Sequence, residues 1–505
     1  MILGNPSQAT AASALRGPDT LDDLFRRAAL RRPGVIALAD PPDRETFTDG
    51  APRRLTYAEA DRMISAIAER LLQLGLRTDA IVGIQLPNTV ESVLTLLGVL
   101  RAGMIAAPLP LLWRRSEMTN ALRRLGAKAL ITCGHVGSAD HAGAAMDAAA
   151  ELFSIRYVCA FGGNLPDGVV PLDDLYMAKP ESLPRIERDN PAAHIAVITW
   201  DVSRDGFVPI ARNHLEIIAG GVAVFLEGGF EQDATFLSAL APSSFAGLAL
   251  TLLPWLLTGG TLALHQPFDA DVFAAQLREH RCDAAVLPGP VMSRLADAGY
   301  LAASSGLKIV MALWRSPECL NTTGWHSNNI ALVDVLAFGE TGVIAMRRGA
   351  DGGPAPLSLG TINAPRGAPG GVLVGELRRT EIGTIAMGGP MVPRHSFFPE
   401  ARRMDDSDAA DGVGDTGYTC RADPDTKAVI VTGPPAGMVG VGGYLFALSN
   451  LNELASVAGA DHIIALPDPL CGHRLCGAAT NAATVQAELA GRGVNPLIVA
   501  AFGVR

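Results

Sequence analysis

Apolar residues recur in the N-terminal part of the chain at the spacing of amphipathic helices. After Thr20, a residue suited to a helix N-cap, Leu21, Leu24 and Ala28 fall on one helical face. The same spacing returns in two later segments, and a glycine ends each of them. The pattern therefore predicts helices over residues 20–31, 58–74 and 89–102.

Short runs of consecutive apolar residues separate the helical segments and predict buried strands. These runs cover residues 80–86, 105–109, 129–133, 196–200, 235–240, 261–265, 284–287 and 309–312. Strands that alternate with helices are typical of a layered α/β protein with mostly parallel sheets. The stretch 234–265 has no charged residue but contains Pro242 and Pro254. We therefore interpret it as a buried strand, loop, helix and strand rather than a membrane span.

The pattern changes after about Gly352. Glycine and proline become frequent, and short strand-like runs at 372–377, 383–387 and 428–432 predict a smaller β-rich subdomain. A second Gly/Pro-rich stretch at 433–443 is typical of a joint between domains. We expect a large N-terminal domain over residues 1–432 and a small, truncated α+β domain over residues 433–505.

Composition narrows the classes of function. The 505 residues have a net charge of −10 and no cluster of basic residues interleaved with aromatics, which argues against a nucleic-acid partner. Arg114 and Arg115 are interpreted as the solvated side of a helix. Seven cysteines without a Cys-x-x-Cys pair favour a reducing compartment, and residues 1–17 lack the pattern of a signal peptide. We expect a soluble, cytoplasmic protein without a membrane span; a protein partner or a homodimer stays open.

Several short motifs follow one another along the chain. They read LTYAE at 55–59, GIQLPN at 83–88, LGVLRAG at 97–103, LP at 253–254, GGT at 259–261, FGET at 338–341, GDTG at 414–417 and PDP at 467–469. In this order they resemble the adenylate-forming superfamily of acyl- and aryl-CoA synthetases, peptide-synthetase adenylation domains and luciferase. The resemblance covers nearly the whole chain. It implies ATP-dependent activation of a small carboxylic acid to an acyl-adenylate, followed by thioester formation with CoA.

The family holds the ATP phosphates with a loop of small residues followed by a lysine. Small residues let backbone N–H groups approach the phosphates, and the lysine neutralises them. The matching stretch, residues 199–210, keeps only Thr199, Ser203 and Gly206 in that role, and Val208 stands at the lysine position.

Charges in and after this stretch oppose polyphosphate binding. Asp201 and Asp205 would repel a polyphosphate, although Arg204 or Arg212 could compensate. We interpret the stretch as a solvated loop that does not grip a triphosphate, with a working variant as the alternative. His214 resembles a family histidine after the loop, but a lone histidine is more often structural than catalytic.

The second nucleotide motif of the family matches residues 338–342. The resemblance implies that Gly339 and Thr341 contact the adenylate. The glutamate that would hold Mg²⁺ is replaced by Gly342, so Mg²⁺ binding is doubtful on these residues. Glu340 lies two residues earlier and is either a surface glutamate at a strand end or a functional substitute.

Other family positions are partly kept and partly lost. Asp415 matches the aspartate that binds the ribose, and a simple Asp/Gly turn is an equal alternative. Pro434, Ala436 and Gly437 stand where the family hinge has arginine, lysine and aspartate, and no lysine follows Lys427, the last of the four in the chain.

Two hypotheses follow from these losses. The first is a catalytically deficient copy that serves as a binding or regulatory protein and binds ATP, AMP and CoA weakly. The second is an active carboxylate–CoA ligase that uses arginines in place of lysines. Cys471, His473 and Cys476 lack a fourth metal ligand and are interpreted as packing residues.

Overall fold

The computed structural model describes residues 19–180, 186–302, 306–325, 327, 329–394, 412–426 and 428–503. The segment interpreted as lacking a signal peptide lies outside these residues. None of the helices in the described ranges combines the length and apolar character needed to cross a bilayer. The cytoplasmic location stays a prediction.

Strands make up most of the regular structure, and they are numbered in chain order. Those of the first half are β1 (Ile36–Ala39), β2 (Arg54–Thr56), β3 (Ile81–Ile84), β4 (Ile105–Pro108), β5 (Ala129–Cys133), β6 (His135–Val136), β7 (Ala139–Asp140), β8 (Tyr157–Phe161), β9 (Val170–Pro171), β10 (Ile195–Ser203), β11 (Gly206–Asn213), β12 (Phe236–Ser238) and β13 (Leu262–Leu264). Those of the second half are β14 (Ala284–Pro288), β15 (Ile309–Trp314), β16 (Ala331–Phe338), β17 (Gly342–Arg347), β18 (Gly360–Ala364), β19 (Val372–Arg379), β20 (Thr384–Gly388), β21 (Val413–Ala422), β22 (Val429–Gly433), β23 (Met438–Val441), β24 (Tyr444–Ala447), β25 (His462–Asp468) and β26 (Gly472–Ala478).

Helices connect the parallel strands. They are α1 (Leu21–Arg31), α2 (Tyr57–Gln73), α3 (Val90–Arg101), α4 (Arg115–Leu125), α5 (His141–Glu151), α6 (His214–Gly228), α7 (Phe245–Gly247), α8 (Leu253–Thr258), α9 (Ala270–Glu279), α10 (Gly289–Asp297), α11 (Leu448–Val457), α12 (Ala482–Gly491) and α13 (Pro496–Val499). A π-helical turn, Leu248–Leu252, joins α7 to α8. Three of the long helices begin with a capping box, at Thr20, Thr56 and Asn213. In each box the cap side chain accepts from the amide three residues later, and the side chain of that later residue accepts from the cap amide.

Two large sheets form the layers of the N-terminal part. The first has eight strands in the order β17-β16-β15-β14-β12-β13-β1-β2, and its central strands are parallel. The second has seven strands in the order β11-β10-β4-β3-β5-β8-β9, with the β10–β11 pair antiparallel. A third, antiparallel sheet contains β18 to β22. The predicted α/β class, the parallel layers and the β-rich subdomain are confirmed.

The apolar stretch 234–265 forms the predicted buried strand, helix and strand. β12 and β13 are fully buried neighbours, and α7, the π turn and α8 lie between them in the chain. The residues of this segment pack against α6 so tightly that a Cβ atom at Gly220 would lie 2.4 Å from Phe245 Cζ. The membrane-span alternative is therefore not what the structure shows for this stretch.

The residues after β22 form a smaller C-terminal domain. Two antiparallel ribbons, β23–β24 and β25–β26, and the helices α11 to α13 enclose an apolar cluster of their own that includes Leu451, Ile463, Leu489 and Phe502. The domain boundary at residue 433 and the truncation of this domain stay predictions.

We predict that Gly220→Ala destabilises the protein by about 1–3 kcal/mol, because the added methyl group must displace the Phe245 ring in a close-packed core. Urea unfolding followed by tryptophan fluorescence measures the effect. Gly491→Ala is the matched control: this second helical glycine has no atom within 4 Å of the added Cβ. The control is expected to be neutral or to stabilise by up to about 1 kcal/mol. Equal effects of the two substitutions would contradict the packing argument.

Candidate functional site

The stretch that matches the family's phosphate loop is a β-hairpin. Residues 195–213 pair with one another in the β10–β11 hairpin, with Thr199 opposite Ile210 and Ser203 opposite Gly206. The expectation of a solvated loop is therefore wrong for all but the turn. Ser203 Oγ donates to the Gly206 carbonyl oxygen over 3.1 Å, which closes the turn on itself.

Aromatic packing explains why the hairpin replaces a loop. The Trp113 ring lies 4.3 Å from the Phe207 ring and 5.5 Å from the Trp200 ring, measured between centroids. Trp200 also donates to the Pro108 carbonyl oxygen at the end of β4. Apolar residues on both strands thus extend the pairing to the turn.

The second motif lies directly after β16. Gly339 has a φ of +56°, so the chain turns there without the steric cost of a side chain. Thr341 then approaches β21: a Cβ atom at Gly414 would lie 3.9 Å from the Thr341 methyl carbon. The structure therefore brings Thr341 next to Gly414, the residue before Asp415 in β21.

Asp415 is engaged by its own subdomain. Its carboxylate accepts hydrogen bonds from Thr384 Oγ1 over 3.0 Å and from the Gly417 amide over 2.8 Å. The carboxylate is only partly buried. Both interpretations of this residue, a turn aspartate and a ribose ligand, are compatible with that geometry.

A buried ion pair lies at the centre of the site. Arg212 is 1% exposed and Glu340 is 4% exposed. Arg212 Nη1 donates to Thr199 Oγ1 over 3.2 Å and lies 3.8 Å from Glu340 Oε2. Arg212 Nη2 donates to the carbonyl oxygens of Glu340 and Thr341. We call this the Arg212–Glu340 pair. The interpretation of Glu340 as a surface residue is wrong.

Phe245 completes the surroundings of this pair. Its amide donates to Glu340 Oε2 over 2.9 Å, and the Arg212 guanidinium carbon lies 4.0 Å from the centre of its ring. Such a cation–π contact gains strength where water is excluded. The pair is therefore tied to the start of α7 as well as to β10, β11 and the end of β16.

Burial shifts the pKa of both partners toward their neutral forms. Burial lowers the pKa of Arg212 to about 10, while Glu340 opposes the change. Burial likewise raises the pKa of Glu340, and Arg212 opposes it. An arginine pKa of about 10 still leaves the guanidinium charged at neutral pH. Arg212 is thus engaged in internal contacts with Glu340 and Thr199.

A second carboxylate faces the turn at Gly339. A Cβ atom at Gly339 would lie 3.0 Å from Asp201 Oδ2, and Asp201 Oδ1 accepts from the Val202 amide over 2.8 Å. Tyr418 hydrogen-bonds to the Gly339 backbone, and burial raises the pKa of its phenol. A carboxylate of the hairpin therefore lies beside the turn at Gly339.

The residues present do not fit a magnesium ion. A Cβ atom at Gly342 would lie 2.8 Å from Met387 Cε and 3.4 Å from Met391 Sδ, so thioether side chains fill the place of the family's glutamate. Glu340 is turned to Arg212 and the Phe245 amide instead. No group of three His, Cys, Asp or Glu side chains is arranged to hold a metal in the part of the chain that the structure describes.

The other predicted residues lie away from the pair. Arg204 is at the tip of the hairpin, where its Nη2 atom lies 3.5 Å from the Ala436 carbonyl oxygen. His214 makes an internal contact: its Nδ1 atom accepts a hydrogen bond from the Leu21 amide over 3.2 Å and so joins α1 to α6. Burial lowers the pKa of His214 to about 4, which leaves the ring neutral at pH 7.

Phe245, Ser244 and Arg315 were not found by the sequence analysis. Ser244 caps α7 and accepts a hydrogen bond from Arg315 Nη2 at the end of β15. The serine before Phe245 is a recognisable N-cap signal. The partners are about 70 and 95 residues apart in the chain, however, so no local pattern marks their contact.

Comparison with known proteins agrees with this fold. The family model described as "AMP-binding enzyme" matches residues 25–199. A region of 113 residues is 33% identical to phosphinothricin tripeptide synthetase PhsC of Streptomyces viridochromogenes, and it covers 22% of this chain but only 10% of that protein. A 2-hydroxy-7-methoxy-5-methyl-1-naphthoate–CoA ligase of Streptomyces carzinostaticus is 26% identical over 86% of this chain and 80% of its own length.

Solved structures show the same fold over almost the whole chain. The amide bond synthetase McbA of Marinactinospora thermotolerans aligns with a TM-score of 0.69 at 19% identity, over 94% of each chain. The chain is thus similar to AMP-binding enzymes over residues 25–199, and it shares the fold of McbA over almost its whole length.

Proposed function

We propose that this chain is a catalytically deficient member of the adenylate-forming superfamily that acts as a binding or regulatory protein. The observation that supports this proposal is the Arg212–Glu340 pair. The guanidinium of Arg212 lies 3.8 Å from the carboxylate of Glu340, and Gly342 supplies no second carboxylate. A ligand phosphate or a metal ion would have to compete with an internal partner that is already desolvated.

Half of the nucleotide site keeps the polar groups that the family uses. Thr341, in the turn after β16, lies beside Gly414 of β21, and Asp415 is the next residue of that strand. These groups suit a ribose or a similar polyol, with the binding energy of a few neutral or charge-assisted hydrogen bonds. The ligand classes that follow are AMP, adenosine and a small carboxylic acid.

An active carboxylate–CoA ligase is the second candidate. It is favoured by the similarity to the naphthoate–CoA ligase, which extends over 86% of this chain. Arg204 is the exposed cation of the hairpin tip that such an enzyme would use, because Arg212 is already paired. Pyrophosphate release with a panel of aromatic and aliphatic acids separates the two candidates.

We predict that the protein binds ATP only in the millimolar range or more weakly, which is about −4 kcal/mol or less favourable. AMP should bind about as tightly as ATP, because the Asp201 carboxylate beside Gly339 repels the additional phosphates of ATP. Isothermal titration calorimetry with ATP·Mg²⁺ and AMP measures both affinities, and a pyrophosphate assay runs in parallel. The related naphthoate–CoA ligase is the positive control. Micromolar ATP binding or substantial pyrophosphate release would favour the active ligase.

We predict that restoring single family residues does not restore acyl-adenylate formation. Val208→Lys adds the loop cation and Gly342→Glu adds the metal ligand, but catalytic groups act as a unit. Gly342→Glu must also displace Met387 and is expected to cost about 1–3 kcal/mol of stability. Gly342→Ala is the control that separates this steric cost from the added charge. Near-family turnover in either single variant would show an intact site and contradict the proposal.

We predict that Arg212→Met lowers the free energy of unfolding by about 3–5 kcal/mol, because it leaves the Glu340 carboxylate buried without its cation. The double variant Arg212→Met with Glu340→Gln should recover part of the loss. Arg204→Met is the matched control on the same hairpin; its side chain is exposed, so a change below about 0.5 kcal/mol is expected. Similar urea midpoints for Arg212→Met and Arg204→Met would refute the structural role of the pair.

A further inference from the structure

A cavity of about 450 Å³ opens at the amino edge of the eight-stranded sheet. Its lining includes Asp283, Lys308 and Ile330, the residues directly before β14, β15 and β16. These three strands are parallel, so their amino ends lie together. β16 is eight residues long, so Thr341, which follows its carboxyl end, lies roughly 25 Å away. The cavity is therefore separate from the motifs of the nucleotide site.

Apolar side chains form one part of the lining. Phe230, Ile309 and Leu332 are buried residues that line the cavity. Trp325 lines it as well, and its indole nitrogen donates to the Ile330 carbonyl oxygen over 2.7 Å. The ring is thus held in one orientation before a ligand arrives, which lowers the entropic cost of binding. A cavity of this size and lining is suited to a small molecule with an apolar part.

A buried ion pair holds the segment that carries Trp325. Arg348 Nε lies 2.7 Å from Asp334 Oδ2, and both side chains are buried. The two terminal nitrogens of Arg348 donate to the carbonyl oxygens of Thr323 and Asn321, over 2.7 Å each. All three nitrogens of this guanidinium are therefore engaged. Arg348 builds the wall of the cavity, and its charge is already matched by Asp334.

Two further acids of the cavity share one cation. Lys308 Nζ lies 2.8 Å from Glu231 Oε2 and 3.1 Å from Asp283 Oδ1. One ammonium group thus meets two carboxylates, and the three side chains together carry one net negative charge. The Thr235 amide also donates to Asp283 Oδ2, over 2.9 Å. Glu231 is the most exposed of the three, with 76% of its side chain accessible, so a ligand reaches its carboxylate first.

Arg347 supplies the opposite charge. Its Nη1 atom lies 3.6 Å from the position of a Cβ atom at Gly229, which is the C-cap of α6 and also lines the cavity. The Glu227 carboxylate accepts from the backbone amide of Arg347 over 2.9 Å. Within the described ranges, the guanidinium itself has no carboxylate oxygen within 4.0 Å. The carbonyl end of α6 carries only partial negative charge, so Arg347 keeps positive charge for a ligand.

We propose that this cavity binds an α-amino acid with an apolar side chain. The carboxylate pairs with Arg347, the ammonium group with Glu231 and Asp283, and the side chain contacts Trp325. Gly229, beside the guanidinium, and Glu231 are two residues apart, so their Cα atoms are at most about 7 Å apart and one small molecule can reach both charges. The proposal is independent of the proposed function, because the cavity shares no residue with the nucleotide motifs.

Fluorine NMR of the native chain labelled with 5-fluorotryptophan tests the site directly. Trp325 lines the cavity, whereas Trp314 ends β15 at the opposite edge of the sheet. L-Phenylalanine should shift the Trp325 resonance saturably, and the Trp325→Phe variant assigns that resonance. 3-Phenylpropionate lacks the ammonium group and phenethylamine lacks the carboxylate, so each should bind at least about tenfold more weakly.

Two outcomes of this titration would overturn the proposal. One is a Trp325 resonance that shows no saturable shift up to about 10 mM L-phenylalanine. The other is a shift of the Trp314 resonance alone, which would place the amino acid at the carboxyl edge and leave the proposed function untouched.

A substitution then identifies the group that binds the carboxylate. Arg347→Met should weaken L-phenylalanine binding at least about tenfold and leave phenethylamine binding unchanged, because only the former ligand has a carboxylate. Arg421→Met is the matched control: Arg421 is an exposed arginine of β21, and its loss changes the net charge equally. This control should bind L-phenylalanine like the native protein. Equal affinities of the native protein and Arg347→Met for L-phenylalanine contradict the proposal.

Discussion

The buried pair of Arg212 and Glu340 is the interaction on which the centre of this structure depends. A lone charge in an apolar interior costs several kcal/mol, so each partner is tolerated only because the other is present. The guanidinium also holds the carbonyl oxygens after β16, the Thr199 hydroxyl and the Phe245 ring. Four elements of the chain therefore meet at one guanidinium. This requirement fixes the β10–β11 hairpin against the end of β16.

The same pair supports the proposal that this chain lacks the nucleotide chemistry of the adenylate-forming superfamily. A site that activates a carboxylate offers open cations and a metal ligand to an incoming triphosphate. Here the cation of β11 is neutralised from within, Asp201 faces the turn at Gly339, and methionine side chains fill the space at Gly342. Arg212 and Glu340 are both present, but both are buried and each offsets the charge of the other.

The C-terminal domain packs against the N-terminal part of the chain. Its contacts with Ser116, Glu117 and Ser316 place the β23–β24 hairpin over the carboxyl edges of both large sheets. In α/β proteins this edge is where ligands bind, because the strands end there and the loops diverge. The C-terminal domain therefore covers strand ends of the kind at which ligands bind in α/β proteins.

Much of this protein follows from its sequence alone. The alternating apolar runs determine the α/β layers, and the glycine and proline content marks the β-rich subdomain. The resemblance to adenylate-forming enzymes implies that Val208 and Gly342 stand where that family has a cation and a carboxylate. These features are local, and local patterns of burial and turn chemistry act on neighbouring residues. The sequence did not reveal that residues 199–210 pair as a hairpin, because the aromatic partner that stabilises it, Trp113, comes from another strand end. Nor did it show that Arg212 and Glu340 are buried together, since 128 residues separate them. Only the tertiary structure decides which charges meet, because burial and partner choice depend on contacts between elements that are distant in the chain.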